Sequence, residues 1–269
     1  MPRRLIIRPG AIGDFILTLP AMECLKTDDL EVWAASQNLP LVRFASRTRS
    51  IASTGLDMLE FSPYEPLIQQ LRSFDSIISW YGANRPEFHE AVSRLGLPFQ
   101  FQTAIPPDDC RVHAADFFAA QVCDAPAGPA IPRIGCPRGD EGFAVIHPFS
   151  GSPKKCWPLA RYRELARHLE AHMPVRWCAG PEERLEGAVR IENLYDLACR
   201  LATARVYIGN DSGITHLAAA VGTPVVALFG PTDPRIWAPR GPHVTVIAGT
   251  ALQEIAVGDV LAAVLRPPV

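Results

Sequence analysis

A chain of 269 residues with a hydrophobic fraction of 48% is long enough for two domains with well-filled cores. Lys and Arg number 26 against 28 Asp and Glu, a net charge of −2 that gives no overall reason to expect nucleic acid or a bulk anionic surface as partner. The 7 cysteines are scattered, odd in number and without a C-x-x-C pair, which suits a reducing cytoplasm with Cys serving mostly as small buried apolar residues. The first strand starts too close to Met1 for a signal peptide, and no apolar run reaches the ~18 residues of a membrane span.

In chain order, Leu5-Ile6-Ile7 reads as a buried strand that runs into a glycine-bearing loop, Arg8 to Asp14. Phe15 to Lys26 then has apolar residues at a helical period, with Pro20 inside the run. Asp14 therefore lies at a strand-to-helix junction, at the carboxyl edge of a sheet. It is read either as a helix N-cap or as a carboxylate aimed into a cleft. Residues 31–35 and 76–80 read as further strands. Between them Arg43, Arg47 and Arg49 form a local basic patch, read as a solvated helix face or as a contact for an anionic acceptor. Residues 112–122 are helical in pattern. The Pro/Gly-dense stretch 124–142 reads as an interdomain linker, which divides the chain into domains 1–130 and 131–269.

A second α/β pattern follows. Residues 143–146 form a strand leading into His147 to Pro158, and 159–172 an amphipathic helix. Residues 175–178 form a strand leading into the Gly180-Pro181-Glu182-Glu183 turn. The stretch 204–229 reads as strand, Gly-Asn-Asp-Ser-Gly turn, Ala-rich helix and strand, which is the unit of a parallel sheet. A late strand at 244–247 and a helix at 255–265 end the pattern. Three strand-to-helix junctions carry ligand-type residues, and in a parallel sheet all three leave one edge. The loop 150–157 offers small residues and a lysine for a diphosphate. The loop 180–183 offers a carboxylate for sugar hydroxyls. At 209–213 glycines let the backbone approach a ligand, and the amino end of a helix attracts anions. His168 and His172 stand four apart, but no third metal ligand is evident. No dinucleotide-type Gly-x-Gly-x-x-Gly and no Walker lysine motif is present.

These residues resemble glycosyltransferase family 9, the bacterial ADP-heptose:lipopolysaccharide heptosyltransferases. The likeness rests on LIIRPGAIGDFILTLPAMECLK at 5–26, on 147–157 with its K-x-W, on G-P-E-E at 180–183, and on the stretch from Gly209 to Pro234, GNDSG-x-x-HLAAA-x-G-x-P-x-x-x-L-F-G-P-T-D-P. Ala179 and Ile214 stand where the family often has Gly and Pro, and the chain is shorter than typical members. The resemblance implies a GT-B fold: α/β, two facing Rossmann-like domains with parallel sheets, with the last helix able to pack back on the amino-terminal domain.

It implies an inverting, metal-independent enzyme without a cofactor. A heptose or similar sugar would move from a nucleotide-diphosphate sugar, ADP-heptose for the family, to a lipopolysaccharide core or related glycan. Asp14 falls on the family's proposed base and Lys155 on the lysine that meets the donor phosphates, with Ser150 and Gly151 beside it. Glu183, ahead of Glu182, falls on the acid that holds ribose. Asn210, Asp211, Ser212, Gly213 and His216 fall on the donor loop. Arg43, Arg47 and Arg49 would face an anionic lipid-linked acceptor, with the protein in the cytoplasm and in peripheral contact with the inner membrane. Two alternatives stand beside this: an epimerase-type nucleotide-sugar enzyme, and a non-catalytic nucleotide-sugar-binding protein on the same fold.

Overall fold

The structure is a computed structural model that describes residues 2–124 and 128–266. The linker read at 124–142 therefore lies partly outside the described residues. The chain divides into two compact units, Met1–Cys110 with Ala115–Ala130, and Ile131–Val269 with Arg111–Ala114. That the short segment Arg111–Ala114 groups with the second unit has no signal in the sequence pattern.

The amino-terminal unit holds a five-stranded parallel sheet in the order β3-β2-β1-β4-β5. Its strands are β1 (Arg3–Arg8), β2 (Asp29–Ala34), β3 (Arg47–Ser50), β4 (Ser76–Ser79) and β5 (Phe99–Phe101). The helices are α1 (Ile12–Cys24), α2 (Glu65–Arg72), α3 (Pro86–Arg94) and α4 (Ala114–Ala120). Leu5, Ile6 and Ile7 are fully buried because β1 is the central strand, covered on both faces. Leu5 and Ile7 join Trp33, Leu71, Ile77 and Phe88 in one core cluster. The strand β3 stands where a helix face or acceptor contact is read from the sequence. It is an edge strand, exposed along most of its length, so it carries no apolar signature.

Helix α1 starts at Ile12, earlier than its apolar period indicates. Ala11 is the N-cap and makes no side-chain capping bond, so Asp14 is not the cap but an acid in the first turn. The helix continues through Pro20, whose neighbours Phe15, Ile16, Leu17, Leu19, Ala21 and Met22 are all buried, so packing outweighs the hydrogen bond lost there. The cysteine reading is corrected at one pair. Cys24, the last residue of α1, is disulfide-bonded to Cys123, just beyond α4, with Cα atoms 5.6 Å apart. A sequence separation of 99 left this pairing without a local signal.

The carboxy-terminal unit holds a second five-stranded parallel sheet, in the order β10-β9-β8-β6-β7. Its strands are β6 (Ala144–His147), β7 (Val175–Trp177), β8 (Val206–Asn210), β9 (Val225–Phe229) and β10 (Val244–Ala248). Its helices are α5 (Leu159–Leu169), α6 (Leu194–Leu201), α7 (Gly213–Ala220), α8 (Pro234–Trp237) and α9 (Val257–Leu265). Val260 and Val264 of α9 share a core cluster with Leu165 and Leu169 of α5. The last helix thus contributes to this unit's own core. In this sheet the chain passes from β6 to β7 on one side, then to β8 on the other. The carboxyl ends of β6 and β8 therefore flank a topological switch point, where open α/β sheets bind ligands.

Candidate active site

Because β6 lies between β8 and β7, the loops after these three strands leave the same edge side by side. On β8, side chains alternate between the faces, so Tyr207 and Gly209 share one. The Tyr207 ring runs beneath Gly209, where a Cβ would come 2.5 Å from the hydroxyl oxygen. Packing against Tyr207 therefore requires a glycine at 209. Asn210 also turns inward and is fully buried. Its Oδ1 accepts from the Trp157 amide and the Tyr162 hydroxyl, each at 2.9 Å, and its Nδ2 donates to the Pro148 carbonyl at 2.9 Å. The Asn210 side chain thus ties the loop after β6 to the end of β8.

Ser212 is the N-cap of α7 and accepts from the Thr215 amide. Asp211, relieved of capping, accepts from Lys155 Nζ at 2.7 Å. Ser150 Oγ donates to the Asp211 carbonyl at 2.6 Å. Lys155 closes the single 3-10 turn Pro153–Lys155. The Lys155 side chain is 37% exposed and that of Asp211 10%. The ammonium therefore faces solvent beside the amino end of α7 while the carboxylate lies beneath it. A Cβ at Gly151 would meet no atom within 4 Å, so the space over that residue is open. Ser150, Gly151, Lys155, Asp211, Ser212 and Gly213 are brought to one place, and an ammonium plus a helix amino end is a setting for a diphosphate.

His216 stands in the first turns of α7 and is buried. Burial lowers its pKa to about 4; Asp211 opposes that shift, while His113 and Lys155 add to it. Its imidazole is neutral at neutral pH. His113, from the segment that groups with this unit, donates through Nε2 to the Ala238 carbonyl, 2.8 Å away. Sequence reasoning missed it because nothing local marks that crossing.

After β7, Glu183 turns back toward β6. Its Oε2 accepts from the Gly180 amide at 2.6 Å and lies 3.0 Å from Nε2 of His147, the last residue of β6. Burial alone would raise the Glu183 pKa, but the bonds from His147 and Gly180 and the charge of Arg190 outweigh it, and the net shift is downward. Glu182 is exposed.

In the amino-terminal unit Asp14 lies on the first turn of α1, at the carboxyl edge of β1. Gly10, in the left-handed region at φ +115°, would bring a Cβ to 3.9 Å from Asp14 Oδ2. The buried Arg8 secures this turn, a residue the sequence reading passed over. Its guanidinium donates to Thr18 Oγ1 at 2.9 Å, the Asp14 carbonyl at 3.3 Å and the Ala104 carbonyl at 3.2 Å, and stacks on Phe118. Burial pulls the Arg8 pKa down to about 10 against the charge of Asp14. Arg47 pairs with Asp29 and Glu31 and lies level with Glu31, toward the amino ends of the strands; Arg43 is in the loop that feeds it. Arg49 bonds Gln70 and sits over Trp33.

Among the described residues no group of three His, Cys, Asp or Glu is placed to hold a metal ion. His168 lies on α5 and His172 past its end.

Two Rossmann-like units, each with a parallel five-stranded sheet, are the architecture of a GT-B protein. Likeness in overall fold agrees. The E. coli ADP-heptose lipopolysaccharide heptosyltransferase II superposes with a TM-score of 0.76 at 18% identity, covering 97% of each chain. A glycosyltransferase family 9 protein from Veillonella parvula superposes with a TM-score of 0.76 at 16% identity, covering 97% of this chain and 95% of that one. The family model of glycosyltransferase family 9 (heptosyltransferase) matches residues 109–258, and the chain belongs to that family. In sequence it is 39% identical over 113 residues to lipooligosaccharide heptosyltransferase 2 of Haemophilus influenzae, covering 35% of this chain and 33% of that protein. It is 40% identical over 93 residues to lipopolysaccharide heptosyltransferase 1 of Pseudomonas aeruginosa, covering 30% of this chain and 26% of that protein. These alignments span a third or less of either relative.

Proposed function

We propose that the protein is an inverting, metal-independent glycosyltransferase that moves a heptose from ADP-heptose to a lipopolysaccharide core or related anionic, lipid-linked glycan. The observation that carries this is the Lys155 ammonium, held at 2.7 Å by Asp211 beside the amino end of α7, on a chain of the heptosyltransferase family. A departing nucleoside diphosphate gathers negative charge. A cation and helix-end amides that meet that charge more strongly in the transition state than before it lower the barrier. Glu183 takes the ribose hydroxyls. In the amino-terminal unit Asp14 accepts the proton of the attacking acceptor hydroxyl, a role that typically contributes ~10²–10⁴-fold in rate. The bond from the anomeric carbon to phosphate breaks as the new glycosidic bond forms, so configuration inverts in one displacement. The reaction draws on no metal or cofactor.

No described helix is long and apolar enough to cross a membrane. The proposal places the protein in the cytoplasm, meeting its acceptor at the inner membrane surface.

Incubation with ADP-heptose and a heptose-deficient core acceptor, in the presence of a chelator, tests the reading. Release of ADP with an acceptor-linked sugar of inverted anomeric configuration supports it. A changed sugar nucleotide formed without acceptor indicates an epimerase, and tight ADP-heptose binding without turnover a binding protein.

A further inference from the structure

We propose that His147 is a positioning residue that fixes the carboxylate of Glu183 for a ribose diol. His147 ends β6 and is 3% exposed, packed against strands on both sides. Its Nε2 stands 3.0 Å from Glu183 Oε2, and the Gly180 amide reaches the same oxygen at 2.6 Å. A carboxylate that accepts both bonds makes Nε2 the protonated nitrogen. The other nitrogen, Nδ1, is buried and has no partner among the described residues, so among them the polar contact of this ring is the one to Glu183. A buried polar group is kept at a cost, and here it is spent on one carboxylate oxygen.

The surrounding loop is pinned to the same end. Arg190 donates to the Glu183 and Leu185 carbonyls at 2.8 and 3.0 Å, and Val189 bonds back to Trp177 at 2.8 Å. With Oε2 doubly occupied, Oε1 remains to accept from outside. An ionised carboxylate with one open oxygen selects vicinal hydroxyls and repels a phosphorylated ribose. The imidazole thereby sets the carboxylate's rotamer without touching the ligand.

This inference rests on the reading of Glu183 as the ribose contact, and calorimetric titration of the full chain with ADP and with 2′,3′-dideoxy-ADP separates the two. His147→Asn and Glu183→Gln are each expected to weaken ADP by about 10-fold, with the double variant no weaker than either, as for one shared charge-assisted contact. Dideoxy-ADP, lacking the hydroxyls, is expected to bind wild type and both variants equally. His147→Gln, whose amide nitrogen takes the place of Nε2, is expected to restore ADP binding. Equal loss of both ligands in His147→Asn overturns the proposal, since a ring that merely holds the fold costs both alike. Weaker ADP in His147→Asn with Glu183→Gln unaffected overturns it too and removes Glu183 from the ribose, leaving the rest of the donor reading intact. A wild type that binds neither ligand sinks the donor reading itself, and the proposal with it.

Discussion

Lys155 and Asp211 are 56 residues apart and meet at 2.7 Å, the lysine toward solvent and the carboxylate beneath it. An aspartate in the turn before an anion-binding helix would repel phosphate by itself. With Ser212 as the cap and Lys155 as the partner, the same aspartate holds the cation beside the amino end of α7, where the proposed function puts the diphosphate.

Lys155→Ala is expected to weaken ADP by more than 10-fold, because it removes the cation and also exposes the ligand to an uncompensated carboxylate. Adding Asp211→Asn is expected to recover part of that loss. Titration of the two single variants and the double variant gives the coupling, and a double variant no better than Lys155→Ala would mean the carboxylate plays no part.

Asp14→Asn is expected to lower transfer by ~10²–10⁴-fold while leaving ADP affinity unchanged. Since Asp14 is not the cap of α1, the substitution removes no capping bond from the start of that helix. Rate and urea midpoint measured together separate a base from a structural acid. Transfer at the wild-type rate removes Asp14 from the chemistry.

His216 predicts a pH dependence of stability. Its folded pKa, about 4, lies below the ordinary 6.5, so the unfolded chain binds a proton that the native state refuses. The sign follows: stability is complete above about 6.5 and falls as pH drops toward 4, by roughly 2–3 kcal/mol at pH 4.5. Urea denaturation at pH 7.5 and 4.5 should show a shallower pH dependence in His216→Gln by that amount.

The Cys24–Cys123 bond closes a span of 99 residues and ties the end of α1 to the chain after α4. Closing so long a loop restricts the unfolded chain, and reduction is expected to cost about 2–5 kcal/mol. Denaturation with and without reductant checks this, with Cys24→Ser as the control that should lose its sensitivity to reductant.

The sequence by itself determined the buried strands and the ligand-bearing loops. Central parallel strands are covered on both faces, so β1, β6, β8 and β9 each carry an unbroken apolar stretch, from LII in β1 to VVALF in β9. Glycine, proline and capping residues mark where they turn. The edge strands β3, RTRS, and β5, FQF, were not legible, because the first is wholly polar and the second has only 3 residues, too few to show a period. Only the tertiary structure decided what neighbouring loop residues do. Asn210 and Asp211 are adjacent, yet one is a buried latch and the other the partner of Lys155. Strand alternation turns successive side chains to opposite sides, and their partners come from 48 to 62 residues away. The pairs His147–Glu183 and Cys24–Cys123 were likewise settled by the packing of distant segments, which local periodicity does not encode.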